Sequence, residues 1–272
     1  MEGRLGRESE SRQQPEILKR LEDAVGAIQD SEGFRRWLDV SSRFHHYSLG
    51  NQLLIAFQRP DATHVAGFHS WLKLGRHVLK GEKGIAIMVP HVRKVRNEED
   101  DEKRQVTGFG TGYVFDVSQT EGEPLPELDV PVLEGDEGRD LWDGLSRFAT
   151  SENVSISVAP AEELPPDTMG YYSLSEKRIV VADYSQRQKT KTLAHELGHH
   201  VARLDTRAEN ECVAEGIAYS VCAHFGIDTG ERSFPYVAGW AKDRAMLQSV
   251  LSTIHQASSA IIDGITADQS PR

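Results

Sequence analysis

Between Glu121 and Glu137 the chain reads EGEPLPELDVPVLEGDE, with three prolines, seven acidic residues and no apolar period. Proline removes backbone donors and like charges repel, so such a stretch neither extends a sheet nor packs as a helix. It divides the 272 residues into two units that each need their own core. The expected organisation is a frayed polar segment over 1–15, a first domain over 16–120, a linker over 121–137 and a second domain over 138–272.

In the first domain, Ile17, Leu18, Leu21, Val25 and Ile28 recur at helical spacing, and residues 33–45 continue as a second helix. Ser48 reads as the N-cap of a short helix, LGNQLLIAFQ, that stops before Pro60. A strand over 61–66, a short helix over 67–74 and a basic, Gly-punctuated turn over 75–84 follow. The runs IAIMVPHVRKV and VTGFGTGYVFDV flank the charged tip NEEDDEKRQ and read as a long hairpin. The second domain reads as a helix over 139–149, the strand VSISVA, an acidic loop, a Gly-Tyr-Tyr segment leading into the strand KRIVVAD, and three helices. The fold class is α+β.

A net charge of -11 argues against a nucleic-acid partner only if it is evenly spread. It is not, because residues 33–96 hold eleven Lys/Arg against three Asp/Glu, a local +8. There the basic residues are interleaved with aromatics and amides: Arg43, Tyr47, Asn51, Gln52, Arg59, Trp71, Lys73, Arg76, Lys80 and Lys83. Unpaired nucleic acid is held by this combination, aromatic faces stacking on bases while cations follow phosphates. The alternative is that Trp71, Phe44 and Tyr47 are core and only the charges are exposed. No apolar run approaches the ~18 residues of a membrane span, and the polar N-terminus has no signal-like apolar stretch, so a cytoplasmic protein is expected. Cys212 and Cys222 read as core thiols on one helix.

His195-Glu196-Leu197-Gly198-His199 is an HExxH pattern on a helix opened by a capping box, Ser185 with Gln188. His195 and His199, four apart, present their rings side by side as two ligands of one metal require, with Glu196 placed to take a proton from water. Zinc is the expected ion, with another divalent metal the alternative. The third ligand comes from the next helix, whose start is marked by Thr206 with Glu209. Glu211 and Glu215 share a face there; one ligates and the other orients a ligating histidine. His200 points about 100° away from His199 and reads as a packing residue. Gly198 calls for a closely approaching neighbour helix, with Gly216 a counterpart. KRIVVAD is a candidate edge strand for an extended peptide. Tyr171 and Tyr172 either polarise a scissile carbonyl or simply pack the sheet.

Asn210-Glu211-Cys212-Val213-Ala214-Glu215 is similar to the ligand helix of gluzincin metallopeptidases, in which a Glu ligand is followed four residues later by an acidic support for a histidine. That likeness implies Glu211 as ligand and Glu215 as support. The stretch FHHYSLGNQLLIAFQRPDATHVAGFHSWLKLGRHVLKGEKGIAIMVP, with VFDVSQTEG downstream, resembles the N-terminal single-stranded-DNA-binding domain of ArdC-type antirestriction proteins. GYYS, HELGHH, NECVAE and the last helix resemble the zincin-like metallopeptidase domain that follows it in that family. The resemblance, from about Arg35 to Asp263, implies a protein of plasmids or other mobile elements that binds incoming single-stranded DNA and protects it from restriction. The alternative is a regulatory metalloprotease acting on a repressor or restriction factor, with the first domain recognising a protein partner.

Overall fold

The computed structural model describes residues 16–96, 102–124, 138–165, 168–204, 208–227, 229, 234 and 237–267. The expected frayed N-terminus, most of the hairpin tip, most of the linker and the expected capping residue Thr206 lie outside them. The chain divides into two compact units, one of residues 1–27 and 50–126, the other of 28–49 and 127–272.

The first unit opens with α1 (16–26), whose Ile17 packs with Leu54 of α3 (Leu49–Gln58) and with Ala86, flanked by Leu21 and Met88. β3 (Ile85–Arg96) and β4 (Glu102–Asp116) form the expected hairpin, with a register shift between His91 and Val92. β1 (Val65–Gly67) pairs antiparallel with β4, giving the sheet order β1-β4-β3. α4 (Phe68–Lys73) follows β1 directly. The basic turn contains a short strand that sequence periodicity does not reveal: β2 (Arg76–Val78) pairs with β5 (Thr120–Gly122). Asp116 ends β4 as a buried hub. Its carboxylate accepts from the backbone N–H groups of Thr63 (2.7 Å), His64 (3.1 Å) and Ser118 (2.9 Å). Three backbone donors on one carboxylate fix where β1 starts relative to the end of β4.

The second unit recruits a segment from far upstream. α2 (Ser31–Arg43), N-capped by Asp30, buries Phe34, Trp37, Leu38 and Val40, and Phe34 stacks obliquely on Phe234 at 4.9 Å. Its apolar stripe thus completes the core of the second unit, a pairing between residues some 200 apart that a sequence boundary at 121–137 does not anticipate. α5 (Arg139–Ser151) leads to β6 (Ser155–Ala159), and the sheet order is β6-β8-β7. β8 (Arg178–Ala182) is parallel to β6 and antiparallel to β7 (Gly170–Ser173). Ile179, Val180, Val181 and Ala182 are all buried, as a central strand requires. The KRIVVAD strand is therefore the middle of the sheet, and its edges are β6 and β7, the Gly-Tyr-Tyr segment.

Among the described residues four helices follow where three were expected: α6 (Gln186–Ala202), α7 (Ala208–His224), the single-turn α8 (Val237–Trp240) and α9 (Arg244–Ala267). α6 starts as expected, Ser185 accepting from the Gln188 N–H. A Cβ on Gly198 would stand 3.3 Å from Ile217 on α7, so the close helix approach is real. Its partner is Ile217; Gly216 faces Ile254 of α9 instead. Cys212 and Cys222 are buried free thiols. Among the described residues no helix is long and apolar enough to cross a membrane.

Candidate metal centre and nucleic-acid face

α6 brings His195 and His199 together, and α7 delivers Glu211 between them. The two Nε2 atoms are 3.2 Å apart; Glu211 Oε2 is 3.1 Å from His195 Nε2 and its Oε1 is 3.3 Å from His199 Nε2. Ligands about 2.0–2.1 Å from a tetrahedral ion stand about 3.3 Å from one another, so this triangle has the dimensions of one metal's ligand set. Two Nε2 atoms 3.2 Å apart cannot both point a proton at Glu211 without crowding each other, a conflict that a cation between them would resolve. Glu215 takes a different position. Its Oε2 faces His195 Nδ1 at 3.4 Å, on the far side of the ring, and its Oε1 is 3.0 Å from Lys191 Nζ.

Electrostatics follow from this packing. Burial pulls the His195 imidazolium down, but hydrogen bonds to Glu211 and Glu215 outweigh it and hold its pKa up at about 9. The same histidines draw the Glu211 carboxyl down to about 2. Glu196, 7% exposed, is shifted upward by burial despite the adjacent histidines, and its carboxylate accepts the backbone N–H of Tyr172 from the edge strand.

The edge strand sits close over the helix because Gly170 has no side chain: a Cβ there would come within 2.5 Å of Thr192 Cγ2 and 2.9 Å of the Val180 carbonyl. Clefts open to either side of Glu196 and Glu211. One of about 470 Å³ reaches toward Met169, Gln188 and Lys191; the other, about 620 Å³, reaches toward Leu174, Lys177 and Leu204. Tyr171 lines both. Tyr172 lines the second cleft but not the first, and its hydroxyl is 2.8 Å from His200 Nδ1. His200 thus packs on Tyr172 and faces Glu152 at 3.7 Å, outside the ligand triangle. Sequence reading did not single out Lys191 or Gly170. Lys191 lies one helical turn before His195, a spacing that could have found it.

The basic residues of the N-terminal half are scattered among different tasks. Trp71 is 2% exposed and its indole N–H donates to the Phe115 carbonyl; Gln52 is fully buried. Asn51 spans the Met88 backbone, donating to its carbonyl and accepting from its N–H. Arg76 clasps β5 through the Thr120 hydroxyl (2.8 Å) and the Thr120, Gly122 and Glu123 carbonyls. Trp71, Gln52 and Asn51 are buried, and Arg76 is half-buried. Arg43 and Tyr47 belong to the second unit, Arg43 donating to Asp39 O and Tyr47 packing edge-on against Phe44. Lys73, Lys80 and Lys83 are exposed. Arg59 lines an open cavity of about 730 Å³ in the first unit, with Arg20, Gln58, Lys83, Tyr113 and Gln119. Gln119 fixes the basic turn beneath it, donating to Glu82 Oε2 (2.7 Å) and to the Lys83 carbonyl (2.9 Å). The aromatics that are exposed are others: Tyr113 (51%), Phe109 (53%), Phe68 (46%) and Phe57 (46%).

Residues 11–120 match the family of the N-terminal domain of anti-restriction factor ArdC. Over these residues the chain resembles the ArdC-type proteins. The fold agrees, since two crystal structures of the antirestriction ArdC protein from plasmid R388 superpose on it. The metal-free ArdC structure gives a TM-score of 0.53 at 20% identity, covering 81% of this chain and 86% of that one. The Mn(II)-bound ArdC structure gives 0.51 at 18%, covering 80% and 85%. At these identities the likeness is one of fold. An uncharacterized Bacillus anthracis protein, pXO2-81, is 27% identical over 91% of this chain, which spans 50% of that curated relative's length.

Proposed function

We propose that this is an antirestriction protein of a mobile element, whose ArdC-type unit binds single-stranded DNA and whose second unit is a metal-dependent, metallopeptidase-like centre. The observation that carries the second half is the His195–His199–Glu211 triangle with Glu196 buried beside it. The first half rests on the matched N-terminal domain and on a cavity walled by Arg20, Arg59, Lys83 and Tyr113, cations with an exposed aromatic face.

His195, His199 and Glu211 would hold the ion, with Glu215 and Lys191 fixing the His195 ring. A divalent ion, zinc by the imidazole and carboxylate set or manganese as in the R388 relative, supplies Lewis-acid activation of a water and a carbonyl. The chain's own residues do the rest. Glu196, held short of full acidity by burial, takes the proton from the attacking water and returns it to the leaving amine. An extended segment lies along β7, the sheet edge, with Tyr171 beside it. That open strand favours a peptide as substrate, and with it the second reading, a regulatory protease acting on a repressor or restriction factor.

The test is the survival of unmodified DNA entering a restricting host. Protection is expected to fall in a Lys83→Ala/Tyr113→Ala variant and to persist in Glu196→Gln. Protection that needs Glu196 and ignores the first unit would replace this reading with the protease one.

A further inference from the structure

The second unit carries another convergence of metal-binding side chains, remote from Glu196 and used by nothing above. His45 and His46 follow α2, and Asp263 stands on α9. His45 Nε2 is 3.3 Å from Asp263 Oδ1, and His46 Nδ1 is 3.8 Å from the same oxygen. One ligand atom from each of the three lies within 4.8 Å of the others. The His45 and His46 rings stack at 3.7 Å. His45 is 9% exposed, yet neither of its ring nitrogens makes a hydrogen bond of good geometry, an uncommon state for a buried imidazole.

Its surroundings are built. The His45 carbonyl accepts from Ser259 of α9 at 3.3 Å. His224, at the end of α7, packs edge-on against the His45 ring at 4.6 Å and donates from Nδ1 to the Ser42 carbonyl at 2.7 Å. A buried imidazole aimed at a carboxylate, with a second imidazole beside it, is placed as a metal ligand would be.

We propose that His45, His46 and Asp263 form a second divalent-metal site, distinct from the HExxH centre, that clamps the end of α2 to α9. Two imidazoles and a carboxylate select a borderline transition ion such as Zn2+, Co2+ or Ni2+ over Mg2+ or Ca2+. His46 and Asp263 reach it from the solvent side, their side chains 74% and 54% exposed, so an ion can enter without unfolding the unit. Because α2 is the upstream segment that completes the core of the second unit, an ion here would stabilise that unit by mass action.

The test uses metal-stripped full-length protein titrated with Co2+, read by bound metal and by visible absorption. Wild type should bind two equivalents. His195→Ala/His199→Ala should retain one, and that variant should still melt at a higher temperature when Co2+ is added. His46→Ala and Asp263→Asn, both exposed positions that leave the buried packing intact, should each remove one equivalent from wild type and abolish the melting shift in the His195→Ala/His199→Ala background. A single equivalent in wild type that His195→Ala/His199→Ala abolishes, or a second equivalent that survives both His46→Ala and Asp263→Asn, would overturn the proposal.

Discussion

Glu215 faces the back of the His195 ring, Oε2 to Nδ1 at 3.4 Å, while Lys191 pins its other oxygen at 3.0 Å. Glu211 alone of the two acidic residues reaches the Nε2 side. The two therefore differ in what their loss should do. Glu215→Gln should weaken metal binding by about 10–100-fold while leaving a one-ion site at the HExxH centre. Glu211→Gln, removing a ligand, should cost much more. Calorimetric titration of metal-stripped protein decides it, and the reverse ranking would exchange the two assignments.

Glu196 is not one of the three converging ligands, so Glu196→Gln should hold its metal at wild-type stoichiometry. Any amide hydrolysis by the protein should fall by about 10²–10⁴-fold, the usual contribution of a general base. Loss of metal in this variant would mean that Glu196 has a structural task instead.

Trp71 and Tyr113 separate stability from binding. Trp71→Ala opens a cavity in a packed core and removes the indole's hydrogen bond to the Phe115 carbonyl, so a loss of about 3–5 kcal/mol in denaturant unfolding is expected. Tyr113→Ala, on an exposed ring, should leave stability within about 0.5 kcal/mol and weaken DNA binding by about 1–3 kcal/mol. A Trp71→Ala protein that is fully stable but fails to bind would restore Trp71 to the stacking surface.

Asp116 sets an acid limit on the first unit. Burial pushes its carboxyl up, but hydrogen bonds from Ser118, Thr63 and His64 outweigh it and hold it below the ordinary carboxylate range. A carboxylate with a depressed folded pKa contributes stability that is present above the unfolded pKa of about 4 and lost as pH falls through the folded value. Asp116→Asn should cost about 1–3 kcal/mol at neutral pH, and the gap to wild type should close in acid. A gap independent of pH in urea titrations would contradict this.

What the sequence discloses depends on how local the determinant is. The hairpin β3–β4 and helix α6 declare themselves by period, flanking turns and a capping serine, all within a dozen residues. The HExxH spacing places two ligands by helix geometry alone. Glu211 against Glu215 is harder, because both lie on one face of α7 and only the packing of α7 on α6 decides which reaches Nε2. The membership of α2 in the second unit is invisible in the same way: its stripe of Phe34, Trp37 and Leu38 announces a buried face but not the partner, which lies beyond the acidic linker. Burial is least legible from composition in the basic module. Trp71, Gln52, Asn51 and Arg76 have the residue types of a nucleic-acid surface and are spent on backbone carbonyls and core volume, while Tyr113 and Arg20 emerge only from the register of β4 and the position of α1.

The most direct test of the account is fluorescence anisotropy of the full-length protein with labelled unpaired and duplex oligonucleotides of one sequence at two salt concentrations. The account predicts tighter binding to the unpaired strand, a log K against log salt slope of about −0.7 for each phosphate contact, and loss of affinity in Lys83→Ala and Tyr113→Ala. Equal or tighter binding to duplex, or binding indifferent to both substitutions, would contradict it.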